Sequence, residues 1–471
     1  MPGLYASINT TVKALTAHSR AIEVTGKNLA NVNNPDYARQ RVVYGDRGMI
    51  ETPMGPESLG LEALGIEQVR DAMLDRQLVR EIGLKGSVEA QQSAFRRAQA
   101  GLGESIDRAS SANESSATAG NGVAAAIDDF FNAFQSFAAR PTDGGERQTL
   151  LQKAGILTDR FRLADERLDR VQSDLDSLIS SDVAAVNRTL STLAEINSQI
   201  GRFELHAPGS AIDLRDQRQA LLEQLSAKLP IEYSELPGGQ LQIVAKDGVG
   251  ADIVLVDGPA VQGTVAFTGT GLTAGSPATA VALAGGSIHG SLTARDGTVQ
   301  TLRDELDALA RQLVIAVNDA YNPTGATGDF FAAAGLSAAA FAVDSSVTVA
   351  NLKASDGGAA GNNTVALAVA ALAHQTFSTA GGDEIDGTLS GFFGQSVIKL
   401  GEALATATAR VEDQAGIERL VRGQRDAVSG VSLDEEMANL VKYQRSFQAS
   451  SRVFTVLDQL LDNVVNQLGR V

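Results

Sequence analysis

Two apolar stripes, one at each end of the chain, constrain the fold more than any other feature. From Ile8 the first runs through Thr11, Leu15, His18, Ile22, Thr25, Leu29 and Val32. Steps of three and four residues place all of these on one face of a helix. The second runs through Leu433, Met437, Leu440, Gln444, Phe447, Ser451, Phe454, Leu457, Leu461, Val465 and Leu468, with one step adjusted around Leu457. Its start is marked. Gly430 breaks the preceding helix, Ser432 caps, and Glu435 three residues later completes a capping box. Asp434, Glu435 and Glu436 fall where the helix dipole favours negative charge. Polar residues dilute both stripes, so each helix needs a partner to be stable in water. Adjacent sequence offers neither of them a globular one. The two helices therefore pair with each other, as an intramolecular stalk, or with copies of themselves.

Between these ends the pattern is mostly helical. Residues 67–103 form a long candidate, followed by a Ser/Ala/Gly/Asn loop at 109–122 and a short helix with a Phe-rich face stopped by Pro141. Residues 145–204 hold apolar residues at helical spacing over a length that suggests a coiled pair. Another helix over 208–230 has Ser210 as its cap with Asp213 behind. Helix resumes at 297–320, 363–375 and 389–428. From 231 to 289, short β-branched runs divided by Gly-Gly and Asp-Gly turns predict a small β domain. It is nested between helices with its ends at Pro230 and Gly290 expected to lie close together, so it is expected to be dispensable for assembly. At 471 residues and 44% apolar composition the chain has material for a sizeable core. The fold class expected is mainly α with one small β domain.

Little in the sequence points to chemistry. With 39 basic and 56 acidic side chains the net charge is −17, which repels a phosphate backbone and argues against a nucleic-acid partner. The absence of cysteine removes disulfides, thiolate metal sites and thiol nucleophiles together. The first 20 residues lack the charged and apolar regions of an ordinary signal peptide. The most apolar run, VALAVAALA at 365–373, is too short to cross a bilayer, so no membrane insertion is expected. His18, His206, His289 and His374 stand far apart and in no metal-binding pattern. GTGLTAG at 269–275 has the wrong glycine spacing for a dinucleotide loop, GGSIHG at 285–290 is no nucleophile elbow, and GGDEIDG at 381–387 reads as a solvated turn. No catalytic, cofactor-binding or metal site is expected.

The most unusual stretch is GKNLANVNNPDY at 26–37. Asn28, Asn31, Asn33 and Asn34 crowd the end of the first stripe before Pro35 and Tyr37. Asn34 precedes proline and is pushed out of the helical region. The amides can satisfy backbone groups freed at the helix end, as a cap and turn, or bridge to neighbouring subunits.

This stretch, continued through Ala38, Arg39 and Gln40, resembles the N-terminal signature of bacterial flagellar axial proteins. SGVSLDEEMANLVKYQRSFQASSRVF at 429–454 is similar to the C-terminal hallmark of the FlgK-type hook-filament junction family. DLRDQRQALLEQLS at 213–226, residues 128–154 and residues 290–330 also resemble segments of that family.

The resemblance implies a structural, non-enzymatic subunit without cofactors, exported through the flagellar type III apparatus and located outside the cell. It implies an inner tube domain from residues 1–44 and 429–471, a helical rod domain from 45–207 and 291–428, and a mostly β outer domain at 208–290. Phe330-Phe331 is followed by about 30 loosely structured residues, too few for a further folded insert. Ile8, Leu15, Ile22, Leu29 and Val32, with Asn28, Asn31, Asn33, Pro35 and Tyr37, are implied in assembly. Leu433, Met437, Leu440, Phe447, Phe454, Leu461, Val465 and Leu468 are implied both in assembly and in holding a FlgN-type export chaperone. Partners implied are further copies in a ring or helix, the hook protein and the second junction protein. The alternatives are another axial subunit, such as the hook protein or second junction protein, and a secreted coiled-coil adhesin.

Overall fold

The computed structural model describes residues 2–46, 48–52, 55–58, 60–102, 122–325, 328–357, 359 and 361–463. Most of the predicted loop at 109–122, and Val465 and Leu468, lie outside them. The first helix, α1 (Pro2–Ala30), ends at the asparagine run. The chain then doubles back along α1 in strand β1 (Gln40–Asp46), passes through β2 (Met49–Thr52) and β3 (Gly55–Ser58), and returns in β4 (Leu61–Gln68). β1 pairs with β4 and β2 with β3, all antiparallel. The expected passage into a helical rod at residue 45 does not occur there. Helix begins only with α2 (Ala72–Leu102).

The body is organised on one helix. After the Phe-rich α3 (Val123–Ala139), α4 runs unbroken from Gly144 to Phe203, 60 residues. At 1.5 Å per residue that is about 90 Å. Asp143 caps it, its carboxylate accepting from Gly145 N at 2.7 Å. The predicted coiled pair over 145–204 is thus a single rod, and its partners change along its length. At its start Leu150, Leu157 and Phe161 pack with Phe130, Phe134 and Phe137 of α3 and with Phe330, Phe331 and Phe341. Ring centroids in this aromatic cluster lie 4.7–5.7 Å apart, within the range for favourable edge and tilted contacts. The stretch after Phe330-Phe331 is irregular but packed, with Phe341 and Leu352 buried in the same cluster. Further along, Leu168 and Leu175 meet Phe95 of α2. Ile179 to Ala194 then form the floor under the β structure.

That β structure has no core of its own. Helix α5 (Ile212–Ser226) leads to an antiparallel sheet of β5 (Glu232–Glu235), β6 (Leu241–Lys246), β7 (Asp252–Asp257) and β8 (Ala260–Val261). A smaller sheet follows, of β9 (Ala266–Phe267), β10 (Leu272–Ala274) and β11 (Thr279–Ala280). Alternation turns Leu241, Ile243, Ala245, Ile253 and Leu255 inward, where they share one cluster with α4, with Leu222 and Leu225 of α5, and with Val79 of α2. Asn197 of α4, fully buried, locks the joint by donating to Leu241 O at 3.0 Å and Gly258 O at 2.9 Å. The β segment shares its core with the helices, because its inner face is closed by them. Ser210 does not cap α5 either. The α5 N-cap position is Ala211, whose N–H is taken by the Glu204 carboxylate at 3.2 Å.

Helix α6 (Gly286–Thr293) runs through a π-helical stretch, Ala294–Val299, into α7 (Gln300–Tyr321). Gly286 has φ +81°, and a Cβ on Gly290 would sit 2.0 Å from Ser87 O, so α2 and α6 cross at backbone distance. After α8 (Thr364–Ala371), α9 (Leu389–Ser429) returns along the body and meets α10 (Leu433–Asp462) at a three-residue break. α10 then lies antiparallel to α1. The two chain ends do pair, within one molecule.

Leu255→Ala should destabilise the protein by about 2–5 kcal/mol. Because the sheet shares its core with α4, α5 and α2, the loss should appear in the helical circular dichroism signal as one cooperative transition. A separate early transition that spares the helices would show an independently folding sheet.

Candidate functional site

The asparagine run is where the paired terminal helices join the body. Asn28, in the last turn of α1, is 1% exposed, and its amide is fully used. Its Nδ2 donates to Gln40 O at 2.9 Å and to Glu436 Oε2 at 3.0 Å. Its Oδ1 accepts from Gln40 N at 3.0 Å and from the Tyr37 hydroxyl at 2.8 Å. A carboxamide supplies two donors and an acceptor with two lone pairs, and a carboxylate or a hydroxyl cannot replace that set. The neighbouring asparagines make the turn. Asn31 Nδ2 donates to Lys27 O at 2.9 Å, and Asn34 Oδ1 accepts from Asp36 N at 3.1 Å. Asn33 and Pro35 are exposed, and the Pro35 carbonyl accepts from Arg425 of α9 at 3.2 Å.

The far side of this joint is the start of α10. Glu436, 2% exposed, takes Asn28 on Oε2 and the Arg39 Nε on Oε1 at 2.8 Å. Arg39 also donates to Glu435 at 2.8 Å, and its N–H bonds Ser429 O at 2.8 Å. Only half of the expected capping box forms. Ser432 accepts from Glu435 N, but the Glu435 side chain is drawn off to the Arg39 guanidinium. Behind these contacts lies a layer of buried ion pairs: Arg425 with Glu223 at 2.8 Å, and Arg70 with Asp75 at 3.2 Å and Asp216 at 2.5 Å. Burial pushes the Asp75, Asp216 and Glu223 carboxyls up in spite of these arginines. Burial, then Asp216 and Asp213, also holds the Tyr37 hydroxyl far above its usual range. A polar cleft of about 570 Å³ opens beside Tyr37, lined by Asn31, Asn34 and Asp213.

The stripes sit differently from their spacing. The buried face of α1 is Thr11, Ala17, Ala21, Val24, Thr25 and Asn28, while Ile8, Leu15, Ile22, Leu29 and Val32 are half-buried. The rotation has a cause: α1 packs against β1 and β4 as well as α10, and small residues let all three approach. On α10, Leu440, Phe454 and Leu461 are half-buried, whereas Leu433 is 50%, Met437 54% and Phe447 37% exposed. Val441, Val453, Val456 and Leu460 are also exposed, so two separate groups of apolar side chains are exposed on α10, Leu433–Met437–Val441 and Val453–Val456–Leu460. Sequence spacing did not single out Arg39, Gln40, Arg425 or Arg70. Their partners lie on other elements, up to 397 residues away for Arg39 and Glu436.

The remaining candidate stretches take ordinary places in the fold. Among the described residues no group of three or more potential metal ligands exists, and no helix is long and apolar enough to cross a membrane. GTGLTAG is the β9–β10 turn and GGSIHG opens α6. In GGDEIDG, Asp383 and Asp386 accept from Ser378 N and Thr379 N, and Glu384 pairs with Arg311. His206 and His374 are exposed, and His289 meets Ser87 Oγ at 2.9 Å.

Two outcomes follow from this geometry. Glu436→Ala leaves Asn28 Nδ2 and Arg39 without their buried acceptor, at about 3–5 kcal/mol. Amide exchange in α10 should then accelerate by about 100-fold or more while the body is unchanged, and equal acceleration everywhere would contradict a local joint. The second concerns His18, half-buried in α1 with Nδ1 unpaired and its pKa lowered by burial. The neutral ring belongs to the paired helices, so its contribution is present above the ordinary histidine value of 6.5 and is lost as pH falls from there through the lowered value of the folded state. Exchange of α1 amides, corrected for intrinsic rates, should be faster at pH 5.5 than at 7.5, and His18→Gln should abolish the difference.

Comparison with known proteins gives consistent matches along the chain. Residues 110–331 match the family model for the flagellar hook-associated protein FlgK helical domain, and residues 424–468 that for the flagellar basal body rod FlgEFG protein C-terminal region. Over 528 aligned residues the chain is 26% identical to flagellar hook-associated protein 1 of Bacillus subtilis, covering 100% of this chain and 99% of that one. It is 22% identical to flagellar hook-associated protein 1 of Salmonella typhimurium, over 98% of this chain and 99% of the relative. A solved structure, the flagellar hook junction protein FlgK from Burkholderia pseudomallei, aligns over 55% of this chain and 46% of its own, at 21% identity and TM-score 0.46.

Proposed function

The chain belongs to the FlgK-type family of flagellar hook-associated proteins, and on that premise we propose how its ends work in the junction between hook and filament. The chain is a structural subunit of that junction, in a family of structural flagellar proteins. Its α1–α10 pair contributes to the inner wall of the tube. The clamp of Asn28, Arg39 and Glu436 sets the direction in which the body leaves that wall. The single observation that carries this reading is the set of exposed apolar side chains on α10, beside a joint in which the Asn28 amide and the Glu436 carboxylate are used internally. A paired helix has no need of Leu433, Met437, Val441, Val453, Val456 and Leu460 on its solvent side, and neighbouring copies in a tube would bury them.

In this reading the subunit is secreted through the flagellar type III apparatus and works outside the cell. Before export a FlgN-type chaperone covers these α10 side chains. After export the same groups meet further copies, the hook protein on one side and the second junction protein on the other. The implied assembly residues divide accordingly. Asn28 and Tyr37 hold the joint, while Ile8, Leu15, Ile22, Leu29, Leu433, Met437 and Phe447 remain partly or largely available for contact between subunits.

Val453→Asp with Val456→Asp tests this without touching the α1–α10 contact, since both side chains are more than half exposed. Filament attachment and chaperone binding, the latter by calorimetry, should each fall at least about tenfold, equivalent to ~1.4 kcal/mol. Full attachment by the double variant would mean that these exposed groups meet nothing.

A further inference from the structure

Helix α5, which carries the segment DLRDQRQALLEQLS, has two buried faces, and one of them is polar. On the first, Leu222 and Leu225 join the cluster under the β sheets. On the second, Ile212, Asp216, Gln219, Glu223 and Ser226 follow steps of four and three, so they form one stripe along the helix. None of the five is more than 9% exposed. A buried polar stripe carries a desolvation cost that an apolar stripe of the same size would not. Buried ion pairs seldom stabilise more than apolar residues of like volume, so the use of this stripe lies in the arrangement it fixes.

It holds two guanidiniums from distant parts of the chain. Asp216 accepts from Arg70, just ahead of α2, at 2.5 Å, and Glu223 Oε1 accepts from Arg425, near the end of α9, at 2.8 Å. Asp75 takes the other arm of Arg70 at 3.2 Å, and Gln219 donates to Glu223 at 3.2 Å. Both arginines also reach the Asn-Pro-Asp turn after α1. Arg425 Nη2 donates to Pro35 O at 3.2 Å, and Arg70 Nη2 to Asp36 O at 3.4 Å. Two successive carbonyls are thus gripped by arginines whose carboxylates stand seven residues, about 10 Å, apart on one helix. A third tie runs from Gln68 Nε2, at the end of β4, to Ile212 O at 2.9 Å.

The clamp of Asn28, Arg39 and Glu436 meets the body at the end of α9, where Arg39 N donates to Ser429 O at 2.8 Å. Attachment at that point alone leaves rotation free. We propose that the polar stripe of α5 is the seat of the terminal helices: Asp216 and Glu223 are positioning residues that, through Arg70 and Arg425, fix the Asn-Pro-Asp turn and with it the direction of α1–α10 on the body. The seat stands on contacts within one chain. Its consequence for the junction rests on the reading of α1–α10 as part of the tube wall.

The chain has no cysteine, so two introduced ones carry the only spin labels. Full-length protein labelled at Ser19→Cys of α1 and Ser180→Cys of α4, both exposed positions, is measured by double electron–electron resonance. Without further change it should give one narrow distance distribution, and a broad one overturns the seat. Asp216→Asn with Glu223→Gln should at least double the width, roughly, and so should Arg425→Lys, whose ammonium can pair with Glu223 but lacks the second arm for Pro35. Glu204→Gln weakens another buried pair of α5, that of Glu204 with Arg215, without touching the turn, and should leave the width unchanged. Helical circular dichroism shows that each variant is folded. A folded double variant of unchanged width, a narrow distribution for Arg425→Lys, or equal broadening by Glu204→Gln overturns the seat; if the double variant does not fold, Arg425→Lys decides. Broadened variants that attach filaments normally would leave the seat in place and overturn the reading in which this direction matters at the junction.

Discussion

A single buried carboxylate, Glu436, holds the two ends of the chain to the body. It sits in the first turn of α10, where the helix dipole favours it, and accepts from both Asn28 and Arg39. Removing it would strand two donors in a place without water, which is why the joint depends on it more than on any apolar contact nearby. The apolar packing between α1 and α10 is modest by comparison: Ala17, Ala21 and Val24 are small, and Glu436 is the sole fully buried residue of the described α10. Polar specificity sets the geometry of the ends. Apolar area is left over for other contacts.

The body follows the opposite rule. Its stability comes from α4, whose apolar residues enter successive clusters from Leu150 to Ile200. Each segment of that helix is covered by a different element: α3 and the aromatic cluster at one end, α2 in the middle, the β sheets and α5 at the other. Loss of packing in any cluster is felt along a shared rod, so sheet and helices are one cooperative structure.

Much of this was legible in the sequence. The terminal helices, the Ser432 cap, the Phe-rich α3 and the β segment after Pro230 each carry a local signal. What was not legible depends on distant neighbours. Residues 40–68 read poorly as strands because acids and glycines interrupt their alternation. The 60-residue apolar pattern of α4 reads equally as a pair, because one helix of that length needs several partners and spacing cannot name them. Asn28 stood out by its setting, but its acceptor lies 408 residues away and shows in the sequence only as one of three acids in a first turn. The buried face of α1 was missed because Ala17 and Ala21, small enough to admit two neighbours at once, do not register as a stripe.

The span between Asn28 and Glu436 has one more consequence. The two halves of this joint are almost the whole molecule apart, 408 residues. Closing a loop of that size comes late, after the local helices and the α4 clusters have formed. A product cut short anywhere before α10 leaves the Asn28 amide and Arg39 facing water without a carboxylate, and its first helix has no fixed direction. The joint therefore inspects the chain for completeness: only a molecule that holds both Asn28 and Glu436 fixes the direction of α1 against the body.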